Sequence, residues 1–195
     1  MPDALTIRQE VYRKFIHLTS AFLAIILWYF GRDVLLPWLI SAAVILPSLD
    51  YWRHNNTLLK RIYFSLFKIV TRPHEYKKIT GASWVFMGAA FTAYIFNSNA
   101  AAIGMLVMSL ADSAAALVGI PYGKTKLFKK SLEGSTAFFV TAFLIITSFS
   151  GLSIWINIAA ASGGTLVELF ANRKFNDNLW VPFTVALILS LGGLS

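Results

Sequence analysis

Seven apolar runs of roughly span length divide this chain and constrain it more than any other feature. Residues 15–30, 34–51, 80–96, 100–120, 135–149, 152–171 and 179–194 contain no lysine or arginine and at most one acidic residue each. A bilayer crossing needs about 20 predominantly apolar residues. Helices satisfy their own backbone hydrogen bonds in lipid. The pattern therefore predicts an all-α, polytopic integral membrane bundle of about seven transmembrane helices. Only 13% of the residues are charged, where a soluble domain carries about 25%. That excludes a soluble globule, and the apolar content excludes disorder. There is no cysteine, so a disulfide scaffold and a thiolate metal site are excluded. No repeat or linker interrupts residues 1–195, which read as a single transmembrane domain. Basic residues precede the first run and no small-x-small cleavage site follows it, so it is expected to be an uncleaved span.

The net charge is +8. On a soluble chain that would point to nucleic acid, but here the basic residues are sided. The N-terminal segment and the loops after runs 2, 4 and 6 hold 16 of the 17 lysines and arginines, leaving only Arg32 opposite. By the positive-inside rule the N-terminus is expected in the cytoplasm and the C-terminus across the membrane. No nucleic-acid partner is expected. The longest loop, residues 52–79, places Leu58, Leu59, Ile62, Leu66, Ile69 and Val70 on one helical face. Thr57, Arg61, Ser65, Lys68 and Arg72 fall on the other face. This predicts one interfacial amphipathic helix, serving as an anchor or as a landing site for a lipid. No loop is long enough for a soluble catalytic domain, so any chemistry belongs at the cytoplasmic membrane face.

Acidic residues inside spans are expensive, about 2.5–3.5 kcal/mol each on insertion scales. Asp112 lies in the small-residue run Ser109-Leu110-Ala111-Asp112-Ser113-Ala114 and is a candidate catalytic residue. Glu168 ends run 6, and Asp177-Asn178 precedes run 7. Asp112, Glu168 and Asp177 are candidate Mg2+ ligands, although Asp177 also reads as a helix cap. With Glu133, these carboxylates are expected to meet at one membrane face. The stretch Gly119 to Gly134 holds Gly119, Gly123, Lys124, Lys129, Lys130, Ser131, Glu133 and Gly134. Its glycines would admit phosphate to backbone amides and its lysines would supply charge, the requirements of a nucleotide site. It is not a P-loop, because only three residues separate Gly119 from Gly123 and the preceding element is not a strand. Taken alone, the lysines follow from positive-inside bias. At the start of run 1, Arg13 and His17 share a helix face. His17 is a candidate catalytic group or an interhelical hydrogen-bond partner. Arg13, Lys14 and Asn178 are candidates for binding the acceptor substrate. His54 and His74 have no metal-ligand spacing.

Four motifs occur in order. They are Arg13-Lys14-x-x-His17; Glu75-x-x-Lys78-x-Thr80-Gly81-Ala82; Ala111-Asp112-Ser113-Ala114-Ala115 through Gly119 and Gly123-Lys124 to Lys129-Lys130-Ser131-Leu132-Glu133-Gly134; and Glu168 followed by Asp177-Asn178-Leu179-x-Val181-Pro182. Together they resemble the polyprenol kinase family of dolichol kinases, phytol kinases and CTP-dependent diacylglycerol kinases. Many relatives have Gly-Asp where this chain has Ala111-Asp112. The resemblance implies transfer of the γ-phosphoryl group of CTP to the hydroxyl of a membrane lipid alcohol, with Mg2+ as cofactor. It implies that Asp112 and Lys129 to Gly134 belong to the CTP-binding region. The rival enzyme is a phosphatidate cytidylyltransferase, whose Ser-x-x-Lys-Arg and acidic Gly-rich segments are absent. A rival of another class is a non-catalytic transporter, but no repeat supports it.

Overall fold

The computed structural model describes residues 7–68, 71, 75–76, 78–172 and 175–195. Of the residues named above, Ile69, Val70, Arg72 and His74 lie outside the described residues.

The apolar runs become helices. The first is broken in two, α1 (Ile7–Leu18) and α2 (Ala21–Phe30), because Thr19 and Ser20 turn their hydroxyls back onto the carbonyls of Ile16 and His17. Gly31 ends α2 with a positive φ of 79°, a conformation that suits glycine. There follow α3 (Arg32–Asn55), α4 (Thr57–Phe67), α5 (Gly81–Ile95) and α6 (Ser98–Leu106). A π-helical turn, Val107–Ala111, joins α6 to α7 (Asp112–Tyr122). Two short strands, β1 (Lys126–Leu127) and β2 (Lys130–Ser131), form an antiparallel ribbon. Then come α8 (Leu132–Ser150), α9 (Ile154–Phe170) and α10 (Asp177–Leu191). The all-α expectation stands, with this ribbon as an addition.

Four segments are long and apolar enough to cross a membrane: Arg8–Phe30, Arg32–Asn55, Ser98–Tyr122 and Leu132–Ser150. The helices Gly81–Ile95, Ile154–Phe170 and Asp177–Leu191 are apolar but shorter. At 1.5 Å per residue, 15 residues reach only about 22 Å.

The segment α6–π–α7 is the most buried of the four. Its residues Ala100 to Met108 are nearly inaccessible and sit in the apolar core cluster. α10 packs on α5, α6 and α9, α8 packs on α7 and α9, and α3 packs on α5. Small residues permit this closeness. A Cβ on Gly104 would stand 3.2 Å from the Cα of Pro182, so the α10 backbone rests directly on α6. Large apolar side chains face outward, among them Tyr29, Trp38, Trp155 and Leu191.

The amphipathic helix forms as α4, capped by the side-chain Oδ1 of Asn56, which accepts from the amides of Leu58 and Leu59. Leu58, Ile62 and Leu66 are exposed on it. Its other side is held by Arg53, whose guanidinium lies 4.0 Å from the Tyr63 ring centroid. Arg53 also pairs with Asp50 at 3.1 Å and donates to the carbonyls of Glu75 and Lys78. Asp50 in turn accepts from the Thr80 amide and from the hydroxyls of Thr80 and Ser83. The Glu75-to-Thr80 motif is thus partly structural, because the Glu75 carboxylate caps α5 by accepting from the Gly81 amide at 3.0 Å.

Candidate active site

The π-helical turn ends immediately before Asp112. Such turns are rare and often lie at functional sites. An extra residue in the turn rotates everything after it, which re-aims α7 relative to α6. Asp112 thereby faces α1, where it forms a buried ion pair with Lys14. The Nε2 atom of His17 lies 3.3 Å from the same Asp112 oxygen. It is off the line of a hydrogen bond and is left without one. Lys14 and His17, three residues apart on α1, therefore close on one carboxylate from α7.

A second cluster stands beside the first. The ammonium of Lys130, on the ribbon, donates to Glu168 at 2.6 Å and lies 3.7 Å from Asp177. Glu168 is only 2% exposed and also accepts a long hydrogen bond from Ser135. Burial lowers the pKa of Lys130, but Asp177, Glu168 and Asp112 outweigh it and hold the ammonium above its ordinary value. Its stabilising effect is therefore fully present below the ordinary lysine pKa and is lost only as pH rises through the higher folded value. Thermal stability measured across the neutral and mildly alkaline range is expected to show no step from Lys130.

Both clusters border one cavity of about 1180 Å³ at one end of the bundle. Arg13, Lys14, Asp112, Gly119, Gly123, Lys129, Lys130, Ser131, Gly134, Glu168, Asp177 and Asn178 line it. His17 stands behind Asp112. Lys124 and Glu133 are not on its wall. Glu133 instead turns to accept from the Thr125 amide at 3.1 Å, bracing the loop before the ribbon. It lies in the first turn of α8, at the same end of the bundle, but off the cavity wall that Asp112, Glu168 and Asp177 line. Asp177 is the first residue of α10 and not its cap, since the side chain of Asn176 takes the capping role. Reading the sequence missed Glu10 and Ser135, both on the cavity wall. For Ser135 the available signal was its place four residues after Ser131, one helical turn into α8.

The glycines have a further role. The Gly123 amide donates to the Gly119 carbonyl, and the Gly134 amide donates to the hydroxyl of Ser131, which caps α8. These amides are spent within the fold. A Cβ on Gly134 would stand 3.0 Å from the Ala115 carbonyl oxygen and 3.2 Å from the Cα of Gly119. The pair lets α7 and α8 touch and so places the ribbon. Gly134→Ala is expected to cost about 1–3 kcal/mol through overpacking, read as a lower unfolding temperature in detergent.

Among the described residues no three of His, Cys, Asp or Glu stand close enough to hold an ion by themselves. Mg2+ is usually held by one or two carboxylates, with phosphate and water completing its shell. Glu168 and Asp177, both hard oxygen donors reaching the same lysine, fit that requirement, and Asp112 lies next to them.

The comparisons with known proteins decide the class. The chain is 31% identical over 216 residues to CTP-dependent diacylglycerol kinase 1 of Saccharomyces cerevisiae, covering 94% of this chain and 73% of that protein. It is 31% identical over 147 residues to dolichol kinase of the same yeast, covering 69% of this chain and 28% of that one. It is 37% identical over 105 residues to phytol kinase of a Synechocystis species, covering 47% and 44% of the two chains. This chain belongs to the polyprenol and lipid kinase family. Membership makes the protein a membrane-embedded phosphotransferase. No family profile matches the chain, and no solved structure is similar to it.

Proposed function

We propose that this lipid kinase transfers the γ-phosphoryl group of CTP to the hydroxyl of a membrane lipid alcohol at the cytoplasmic face. The acceptor is a polyprenol, a phytol-like isoprenoid alcohol or diacylglycerol. The observation that carries this reading is the meeting of Lys14–Asp112 and Lys130–Glu168–Asp177 on one cavity wall. In this reading seven helices cross the membrane, the three shorter ones included. The N-terminus is cytoplasmic and the C-terminus lies opposite, in keeping with the sided lysines and arginines.

Each residue then has a task. Lys129 and Lys130, with Lys126 beside them, bind the triphosphate oxygens as point charges. Glu168 and Asp177 hold Mg2+, with Asp112 nearby. The bound ion neutralises phosphate charge. Asp112 accepts a hydrogen bond from the acceptor hydroxyl and receives its proton as the new P–O bond forms and CDP leaves. Lys14 and His17 keep that carboxylate in place. Transfer of this kind rests on positioning and charge stabilisation.

The test is purified protein in phospholipid nanodiscs with γ-labelled CTP, Mg2+ and a panel of lipid alcohols. The expected result is label in one lipid class with stoichiometric CDP. Label in no lipid defeats the proposal. Pyrophosphate in place of CDP would mean cytidylyl transfer.

A further inference from the structure

A second, smaller hollow of about 170 Å³ lies between α1 and α7. Its apolar wall is Val11, Leu117, Ile120 and Pro121. It shares Glu10, Lys14, Ala116 and Ile120 with the large cavity, so the two adjoin across these residues. The hollow thus has a polar side, at Glu10 and Lys14, toward the large cavity that Asp112 lines, and an apolar side at Val11, Leu117 and Pro121. Leu117 is 52% exposed and Ile120 is 39% exposed on the outside of the bundle. α1 finds its main neighbours in α7 and the π-helical turn. Its Phe15 and Ile16 are turned outward.

We propose that this crevice seats the tail of the acceptor lipid. The hydroxyl lies inside, at Asp112 and Lys14, and the hydrocarbon passes over Val11, Leu117 and Ile120 into the bilayer. An amphiphile with one polar end matches the polarity gradient, whereas a nucleotide does not. The lipid reaches the site sideways from the membrane, while the nucleotide uses the wider mouth lined by Lys126 and Lys129. The assignment rests on the lipid-kinase reading above, but binding and transfer can be tested separately.

Diacylglycerol and a farnesol-type alcohol, each carrying a diazirine on the tail, are photolysed with the full chain in phosphatidylcholine nanodiscs. Adducts are expected on Val11, Leu117, Ile120 or Pro121, and unlabelled alcohol should displace them. Leu117→Trp fills the crevice. It should lower labelling and raise the apparent KM for the lipid by about tenfold or more, the scale of a pocket misfit, with the KM for CTP unchanged. Leu144→Trp, on the outer face of α8, should change neither. Adducts concentrated on Pro47, Tyr51 or Trp84, on the other side of the large cavity, would overturn the proposal. So would equal competition by phosphatidylcholine, which would mark general lipid contact only. Crevice labelling by a protein that phosphorylates no alcohol would overturn the kinase reading and leave the tail site standing.

Discussion

Asp112→Asn is expected to lower phosphoryl transfer by at least about 10²–10³-fold, the range seen when one preorganised electrostatic group is lost. The amide keeps the shape of the carboxylate but can neither take the hydroxyl proton nor attract a cation. The structure adds a second effect. Lys14 is buried and paired with Asp112, so the variant leaves an ammonium without its counter-charge. Breaking a buried pair from one side costs about 3–5 kcal/mol. Lys14→Met combined with Asp112→Asn should recover most of that stability without recovering turnover. Unfolding temperature and turnover measured on both variants separate the two roles. Near-normal turnover in Asp112→Asn would remove Asp112 from the chemistry.

Lys130→Met is the second large effect. Its ammonium stands between Glu168 and Asp177. Removing it leaves the buried Glu168 uncompensated beside another carboxylate, again about 3–5 kcal/mol. Transfer should fall by about 10²-fold or more, because a charge aimed at the phosphates is lost. Adding Glu168→Gln should restore thermal stability but not the rate. Lys130→Arg keeps the charge and should keep most of the stability. If Lys130→Met unfolds like the parent protein, the cluster does not hold the ribbon against α9. If it turns over like the parent, Lys130 does not touch phosphate.

Much of this site is legible in the sequence, and the reasons differ by residue. Asp112 is found because an acid within a span needs a purpose. Lys130 is found because its stretch combines lysines with glycines, as a phosphate site requires. Glu133 was expected at the same membrane face as the other carboxylates; it lies in the first turn of α8, off the cavity wall, and braces Thr125. The glycines were read as room for phosphate. Their amides are spent locally, and the missing Cβ atoms bring α7 against α8. Asp50 read only as the end of a span. Its partners Thr80 and Ser83 are 30 and 33 residues away.

The sequence alone determined that this is a basic, helical membrane protein with acids in its apolar runs. Hydropathy and charge act residue by residue along the chain, so a one-dimensional reading captures them. Which charges meet was decided only by tertiary structure. Lys14 and Asp112 are 98 residues apart, and Lys130 and Glu168 are 38 apart. Each pairing depends on the rotation of two helices about their axes. A shift of one residue turns a side chain by about 100°. The π-helical turn before Asp112 makes such a shift, and it carries no signature in hydropathy.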